Sequence, residues 1–303
     1  MRFDYHVLDV FTEKRFRGNP LAVVMAADEL DGEQMQIIAR EFNLSETVFV
    51  LKPANQAHTA RVRIFTPAAE LPFAGHPTVG TAALLAELKH AALPLPSDAL
   101  VVLEASIGTL RVGVRLRSGS ASFAEFDAPV LPEDKGELPE RERLAAVLSL
   151  IPTEIGFENH KPTKFAAGNT AGFVPVASLD AIAKARVASP HWDALTKEQG
   201  AMGLYLYCRQ TVHTTSAFHA RFFAPHMGIP EDPATGSAAV SLAGAIHRFD
   251  ELPDGLHKRT IEQGYEMGRP STLTLSLQIE GGKLDTVRIG GHAVRVAAGH
   301  IEV

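Results

Sequence analysis

The amino-acid sequence predicts an α+β protein built from two similar domains. The first observation is an internal repeat about 160 residues apart, in which Arg63-Ile-Phe-Thr-Pro67 returns as Arg221-Phe-Phe-Ala-Pro225. The second is that an apolar run typical of a buried helix follows each copy. The third is a set of short runs rich in Val, Ile, Phe and Tyr, which favour strands. Two occurrences are too few for a solenoid, so we expect two facing domains with a cleft between them.

The two copies extend beyond the arginine motif. Each has a proline nine residues after its arginine, at Pro72 and Pro230, and then a helix start, Ala74-Gly75-His76 or Thr235-Gly236-Ser237. Aligning the copies on these prolines places Asp232 in a two-residue insertion. The resemblance of the copies predicts that the two domains carry matching helices.

The first half combines strand signals with two helix signals. Asp31 is a good N-cap residue, and Met35, Ile38 and Phe42 recur on one helical face. Pro77 is tolerated in the first turn of a second, apolar helix. In chain order we predict strands at Tyr5–Phe11 and Leu21–Val24, a helix at Gly32–Phe42, strands at Thr47–Leu51 and Arg61–Phe65, a helix to about Lys89, and a hairpin over 101–117 that turns near Gly108.

The second half repeats this theme. We predict strands near Phe173 and at Leu204–Tyr207 and Ala220–Phe223, a helix from about Ser237 to His247, and strands at Thr272–Leu277, Val287–Ile289 and His292–Ala297. The Pro-rich and charged segment 118–161 is interpreted as the junction. The predicted domains are therefore 1–118 and 119–289, and the final strand, about 290–303, is a candidate to cross back onto the first domain.

Composition excludes several classes of protein. A formal net charge of −6, without a Lys/Arg cluster, argues against nucleic acid as a partner. Cys208 is the only cysteine, so no disulfide framework or paired-cysteine metal site is expected. The first residues carry charges where a signal peptide needs an apolar core, and the uncharged stretch 71–86 is too short to span a bilayer. We expect a soluble, cytoplasmic protein that acts without a membrane.

The two helix starts are candidate anion sites. The first turn of a helix exposes unpaired N–H groups and the positive end of the helix dipole, and glycine lets an anion approach closely. Gly75 and Gly236 would together bind a small carboxylate substrate. The alternative is ordinary capping by His76, Thr235 or Ser237, which needs no ligand.

Two carboxylates are candidates for chemistry. Asp232 precedes a proline just before the second helix start, where it could orient another side chain or simply form an Asp-Pro turn. Glu46 lies at the mouth of an apolar strand, where a carboxyl group could shuttle a proton or remain solvated at a helix-to-strand corner.

Metal and nucleotide sites are not supported by the spacing of residues. His213, His219 and His226 are six and seven residues apart, which fits neither one helical face nor strand alternation. The segment Gly75-x4-Gly80-Thr81 has the glycine spacing of a phosphate-binding loop but lacks its lysine, and no GxGxxG motif occurs in the sequence. We expect neither a metal nor a cofactor.

Six motifs, in order across nearly the whole chain, resemble the phenazine-biosynthesis PhzF-like isomerase family. They are Asp9-Val-Phe-Thr12, Gly18-Asn-Pro20, Asn43-Leu-Ser-Glu46-Thr, Phe65-Thr-Pro-x-x-Glu70-Leu-Pro-Phe-Ala-Gly-His76-Pro, Glu231-Asp232-Pro-Ala-Thr-Gly-Ser237-Ala and Glu262-Gln-Gly264 with Gly268-Arg-Pro-Ser271. The resemblance implies the diaminopimelate-epimerase-like fold, two pseudo-symmetric domains that each wrap a curved, mostly antiparallel sheet around a central helix. It also implies a homodimer with an active site in the cleft of each chain.

The resemblance further implies a cofactor- and metal-independent isomerase of a small unsaturated or cyclic carboxylic acid. The best-understood family member isomerises trans-2,3-dihydro-3-hydroxyanthranilate by moving a proton from C3 to C1. Its catalytic glutamate matches Glu46, and its supporting residues match His76, Asp232 and Ser237. Gly75, Thr235 and Gly236 match the segments expected to bind the substrate.

Isomerisation has three alternatives, namely racemisation, binding without turnover, and a lyase or dehydratase reaction. Racemases of this fold use a cysteine at each helix start, but the corresponding residues here are Ala74 and Thr235, which cannot exchange a proton near pH 7. A binding protein would hold a small acid in the cleft without turnover. A lyase or dehydratase would share the proton abstraction and would need a general acid, for which His76 is the candidate.

Overall fold

The computed structural model describes residues 1–90, 96–188, 191–201 and 203–303. The chain divides into two compact units. Unit 1 comprises Met1–Pro129, Arg269–Thr272 and Gly290–Val303, and unit 2 comprises Val130–Gly268 and Leu273–Ile289. Each unit is thus assembled from separate stretches of the chain.

Unit 1 is a sheet around one long helix. In chain order the elements are β1 (Arg2–Val10), β2 (Asn19–Val24), α1 (Gly32–Phe42), β3 (Glu46–Leu51), β4 (Ala60–Phe65), β5 (Glu70–Leu71), α2 (Gly75–Lys89), β6 (Ser97–Ala105), β7 (Gly108–Leu116) and β8 (Ser122–Asp127). The β2 and β3 strands are parallel and are joined through α1, whereas the β1–β2, β3–β4, β4–β5, β6–β7 and β7–β8 pairs are antiparallel.

Helix α1 begins and ends at the predicted residues. Asp31 accepts a hydrogen bond from the N–H of Gln34 at 2.8 Å, and the N–H of Asp31 donates to Oε1 of Gln34 at 3.0 Å. This reciprocal arrangement satisfies two N–H groups of the helix start. Met35 and Ile38 are buried in the core of unit 1, and Phe42 is half-buried. The predicted helix and its apolar face are confirmed.

Helix α2 is buried on nearly all sides. It contacts β1, β2 and β3 as well as β6, β7 and β8. Gly80 allows this close packing, because a Cβ atom there would lie 2.6 Å from Cγ2 of Val10 and 2.7 Å from Cδ2 of Leu21. A helix without a polar face is stable only when other elements cover it. The predicted central helix wrapped by sheet is therefore confirmed.

Unit 2 also surrounds one long helix. In chain order the elements are β9 (Glu133–Glu137), α3 (Arg141–Leu148), β10 (Thr163–Ala167), β11 (Asn169–Pro175), α4 (Leu179–Lys184), α5 (His191–Gln199), β12 (Leu204–Cys208), β13 (Phe218–Ala224), β14 (Ile229–Asp232), α6 (Gly236–Asp250), β15 (Gly255–Gln263), β16 (Ser271–Glu280) and β17 (Lys283–Glu302). Helix α6 has the same length as α2 and contacts β9, β10 and β11. Trp192 and Leu195 of α5 lie in the apolar core of unit 2 with Leu144 of α3.

The two units repeat one strand pattern. The β11 and β12 strands are parallel, as β2 and β3 are, and β13 pairs with β12, β14 and β15 as β4 pairs with β3, β5 and β6. In unit 1 Arg63 donates to both carboxylate oxygens of Glu70, at 2.7 Å each. In unit 2 Arg221 donates to both oxygens of Glu231, at 2.8 Å each. The repeated arginine motif therefore marks equivalent positions.

That equivalence corrects the alignment of the two copies. The glutamate follows the arginine by seven positions in unit 1 and by ten in unit 2, so the insertion has three residues (10 − 7), not two, and it precedes the glutamate. It falls within residues 226–230, between Pro225 and Glu231, where the first copy has only residues 68–69. Pro72 corresponds to Pro233 and not to Pro230, and Asp232 lies outside the insertion.

The segment interpreted as a junction is structured. It contains β8, β9 and α3. Because β8 pairs with β7, unit 1 continues to Pro129, past the limit placed after Ser118. The two strands predicted near the end of the chain form one strand, β17, whose residues Ala293–Glu302 pair with β1 in unit 1.

The longer helices, α2 and α6, have 15 residues each. Within the described part of the chain, no helix has the length and apolar character that would let it cross a membrane.

Candidate active site

Glu46 is the first residue of β3, where the chain leaves the corner after α1. The residue pairs with Leu21 of the parallel β2 strand, and the next residue, Thr47, pairs with Phe65 of β4. The side chain of Glu46 is 12% exposed, so its carboxyl group lies in a largely desolvated setting. The strand register therefore holds this carboxyl group at the end of the sheet, beside the start of α2.

His76 lies in the first turn of α2 with its imidazole buried. Its Nε2 atom is 3.3 Å from Oε2 of Glu46, although Nε2 has no aligned hydrogen-bond partner among the described residues. The ring also bonds to the backbone of Pro20, whose only polar group is a carbonyl, so a ring N–H donates there. With Nε2 unbonded, the donor is Nδ1, and Nε2 presents a lone pair towards Glu46.

The protonation state of His76 follows from its burial. Desolvation lowers the pKa of His76 from 6.5 to about 3, and the hydrogen bond to Pro20 offsets only part of that effect. The imidazole is therefore neutral at physiological pH. A neutral Nε2 can accept a hydrogen bond from a protonated Glu46, but it cannot hold a proton itself.

The starts of α2 and α6 lack side-chain caps. Their N-cap residues are Ala74 and Thr235, and neither makes a side-chain hydrogen bond to the first turn of its helix. Ordinary capping by the N-cap side chain Thr235 is therefore not observed. Helix geometry leaves the first-turn N–H groups without intrahelical partners, which is the arrangement that suits an anion.

Asp232 is buried at the end of β14 and is joined to the N-cap of α6. The hydroxyl of Thr235 lies 2.6 Å from Oδ2 of Asp232. The N–H of Thr235 donates to Oε1 of Gln263 at 3.2 Å. The N–H and the hydroxyl of Thr235 are thus both engaged within unit 2, and Gly236 and Ser237 are the first two residues of α6. Thr235 supports Asp232, and the predicted binding of substrate by Thr235 is not apparent from these bonds.

The predicted residues therefore form two local sets. Glu46, Gly75 and His76 lie together in unit 1, and the remaining four lie together in unit 2, namely Asp232, Thr235, Gly236 and Ser237. Sequence reasoning missed Pro20 and Gln263 as supporting residues. Both lie inside motifs that carry the family resemblance, Gly18-Asn-Pro20 and Glu262-Gln-Gly264, but no role was assigned to either residue.

The three histidines considered as metal ligands have separate environments. His219 is bonded to Glu262 at 2.8 Å and to Glu266 at 2.9 Å, whereas His226 accepts from Nε1 of Trp192 at 3.3 Å. Across the described ranges, no group of three His, Cys, Asp or Glu side chains is placed to hold a metal ion.

Comparison with known proteins identifies the family to which the chain belongs. Residues 8–299 match the family model described as phenazine biosynthesis-like protein, PhzC-PhzF. The chain belongs to the phenazine biosynthesis-like family. An uncharacterised isomerase of Mesorhizobium japonicum is 49% identical over 301 residues, which cover 98% of each chain.

Two further matches support the family assignment. The trans-2,3-dihydro-3-hydroxyanthranilate isomerase of Pseudomonas aeruginosa is 35% identical over 299 residues, covering 97% of this chain and 98% of the relative. The crystal structure of a PhzF-family phenazine biosynthesis protein from Bacillus anthracis superposes with a TM-score of 0.88 at 27% identity, over 100% of both chains. The protein is an isomerase-type enzyme with the α+β fold of this family.

Proposed function

We propose that the protein moves a proton within a small unsaturated or cyclic carboxylic acid, without a cofactor, by means of Glu46. The reaction would be similar to that named for the relative from Pseudomonas aeruginosa. The observation that carries the proposal is the pairing of a largely buried carboxyl group with a neutral imidazole, whose Nε2 lies 3.3 Å from Oε2 of Glu46.

The pairing suits a carboxyl group that changes its protonation state during turnover. In the first step the Glu46 carboxylate takes a proton from a carbon atom of the substrate, and the electron pair of the broken C–H bond shifts the neighbouring double bond. In the second step the same proton passes from Glu46 to the carbon at the far end of that system. No atom or electron is gained or lost, so the product is an isomer.

His76 would assist Glu46 without exchanging a proton. Because its pKa is lowered to about 3 by burial, the imidazole stays neutral while the carboxyl group is protonated. Its Nε2 lone pair can accept a hydrogen bond from the carboxylic acid, which holds the acidic hydrogen in place until it is returned. The bond from Nδ1 to Pro20 fixes the ring for this task.

The uncapped helix starts would bind the substrate. A carboxylate at the first-turn N–H groups of Gly75, or at those of Gly236 and Ser237, would meet unpaired donors and the positive end of a helix dipole. Donors placed where negative charge develops also stabilise the transition state. Asp232, held by Thr235, would orient a polar group of a substrate bound at the start of α6.

The experiment is proton NMR of trans-2,3-dihydro-3-hydroxyanthranilate in deuterium oxide, with the wild type and Glu46→Gln. We expect the wild type to form the isomer and Glu46→Gln to lose on the order of 10³-fold in rate, because the amide cannot take up the proton. Glu41→Gln, at an exposed position of α1, removes the same charge and serves as the matched control.

The outcomes separate the competing functions. A Glu46→Gln rate within tenfold of the wild type would exclude the proposed shuttle. Tight binding of the acid, with neither product nor solvent deuterium in the recovered ligand, would identify a binding protein. A product that has lost water would identify a dehydratase, with a general acid other than the neutral His76.

A further inference from the structure

Gln263 is fully buried at the end of β15, and its amide makes four hydrogen bonds. The Oε1 atom accepts from the N–H of Thr235 at 3.2 Å and from the hydroxyl of Tyr205 at 3.1 Å. The Nε2 group donates to the main-chain oxygen of Asp232 at 2.8 Å and to Oγ1 of Thr235 at 3.2 Å. The amide orientation is unambiguous, because a backbone N–H can only donate and a carbonyl can only accept.

The environment of Tyr205 agrees with that orientation. Burial raises the pKa of the Tyr205 hydroxyl, and the nearby charge of Asp232 acts in the same direction. The phenol therefore remains protonated and donates to Gln263. Every hydrogen-bonding position of the glutamine amide is used, which is the condition for a stable buried polar network.

This network gives the hydrogen bonds a direction. The hydroxyl of Thr235 receives a hydrogen from Nε2 of Gln263 and carries one hydrogen of its own. Donation of that hydrogen to Oδ2 of Asp232, 2.6 Å away, is the arrangement that uses it. The bonds therefore run from Gln263 to Thr235 to Asp232, and a donor aimed at a carboxylate favours its ionised form.

Unit 1 lacks all three members of this network. Glu104 and Glu262 occupy equivalent places, because they pair with Arg61 and His219 in the matching β4–β6 and β13–β15 ladders. The residue that follows is Ala105 in unit 1 and Gln263 in unit 2.

The other two members also have apolar counterparts. Leu71 pairs with Ile64 in β4, at the position where Asp232 pairs with Phe222 in β13. Ala74 is the N-cap of α2, and Thr235 is the N-cap of α6. A scaffold that folds in unit 1 with three apolar residues does not need the polar set for its stability. The three polar residues occur together where the candidate site needs a carboxylate.

We propose that Gln263 is a positioning residue of the active site, which acts through Thr235 to hold Asp232 in place as an ionised hydrogen-bond acceptor. This inference rests on the proposed function for the role of Asp232 in turnover. The arrangement of the three side chains can nevertheless be tested without any substrate.

The test is the ¹³C NMR titration of aspartate side-chain carboxyl groups in the labelled full chain. The Asp232 signal is assigned as the one missing from Asp232→Asn. In Gln263→Met, which removes the amide and adds no charge, we expect this signal to titrate about one pH unit higher, because the Thr235 hydroxyl loses the bond that directs its hydrogen to the carboxylate. Gln210→Met removes an amide that accepts from Leu179 elsewhere in unit 2, and it should leave the signal unchanged.

A second pair of variants covers the case in which Gln263→Met does not fold. Thr235→Val keeps the volume but lacks the hydroxyl, so the Asp232 signal should shift in the same direction. Thr235→Ser restores the hydroxyl and should restore the wild-type titration. An unchanged titration in both Gln263→Met and Thr235→Val would overturn the inference.

Turnover distinguishes this inference from the proposed function. If the wild type isomerises the test acid, Gln263→Met should lose on the order of 10²-fold in kcat with a smaller change in KM, as expected for a misplaced site residue. If the wild type does not turn over the acid but the titrations shift as described, the proposed function fails and the positioning by Gln263 stands.

Discussion

At one pair of equivalent positions the two units carry very different residues. Glu46 begins β3, next to β2 and one residue before the pair formed by Thr47 and Phe65. In unit 2 the residue before the corresponding pair, Leu204 and Phe223, is Gly203. The N–H of Gly172 bonds to the carbonyl of Gly203, which places Gly203 at the start of the same parallel ladder.

The difference distinguishes residues that support the fold from residues that are candidates for the reaction. The repeated residues, such as the arginine–glutamate pairs, bind the strands of each sheet to one another and recur because both sheets need them. The unrepeated residues, Glu46 in unit 1 and Asp232 in unit 2, lie at the edges of that scaffold. Only unit 1 has room for a carboxyl group at this strand start, which is consistent with a reaction that uses one proton shuttle and not two.

The largest expected effect contrasts the two arginines. The side chain of Arg221 is 3% exposed and also donates to the carbonyls of Ile182, Ala183 and Ala185, whereas that of Arg63 is 31% exposed. We expect Arg221→Met to lower the free energy of unfolding by about 3–5 kcal/mol, because it leaves buried acceptors unpaired. Arg63→Met should cost about 1 kcal/mol or less.

Urea denaturation of both variants and the wild type measures this contrast. Equal losses of unfolding free energy would mean that Arg63 and Arg221 stabilise the protein to the same extent. That result would contradict the expectation that the more buried arginine contributes more.

The next effect concerns Gly203. A Cβ atom at this position would lie 2.5 Å from the main-chain oxygen of Phe223 and 2.6 Å from the ring of Phe222. We expect Gly203→Ala to lower the free energy of unfolding by about 1–3 kcal/mol. Gly113→Ala is the control, because its Cβ would meet only the oxygen of Glu125, at an ordinary 3.8 Å. Indistinguishable denaturation midpoints for the two variants would show that unit 2 can accommodate a side chain at this position.

The smallest effect, per pH unit, comes from two buried histidines with opposite pKa shifts. Burial lowers the pKa of His76 to about 3. Burial alone would also lower the pKa of His219, but its hydrogen bonds to Glu262 and Glu266 outweigh burial and raise the pKa to about 9. The environment of His76 disfavours protonation of its ring in the folded protein, whereas the environment of His219 favours protonation of its ring.

The consequences for stability have opposite signs. Relative to His76→Gln, the wild type should lose unfolding free energy as the pH falls from about 6.5 towards 3, since only the unfolded chain binds the proton there. Relative to His219→Gln, the wild type should keep its advantage below pH 6.5 and lose it as the pH rises through about 9. Each slope should stay below about 1.4 kcal/mol per pH unit. Urea midpoints across this pH range test both, and two flat difference curves would contradict the assigned protonation states.

Local sequence signals predicted the elements that depend on local physics. The N-cap at Asp31, the face of Met35 and Ile38, and the apolar character of α2 are all set within a few residues, and these predictions are confirmed. The repeated arginine motif also predicted two similar halves, because equivalent strands need equivalent partners.

Features that depend on distant pairing were not predicted. The network of Gln263 joins residues 28 and 31 positions away, and the tautomer of the helical residue His76 depends on Pro20, which lies on strand β2. The insertion was misplaced because prolines were matched, although the arginine–glutamate pair sets the true correspondence. Local signals at the helix starts and strand ends singled out the candidate site residues, and the family resemblance added their catalytic roles, which remain predictions.

The pairing of β1 with β17 has a consequence for synthesis of the protein. Arg2 pairs with Glu302, and Val10 pairs with Ala293, so β1 has a neighbour that leaves the ribosome only after all of unit 2. Pairing across nearly the whole chain carries a large loop-closure cost and is slow. Unit 1 therefore cannot complete its sheet until unit 2 has been synthesised, because one edge of β1 pairs with residues that follow all of unit 2.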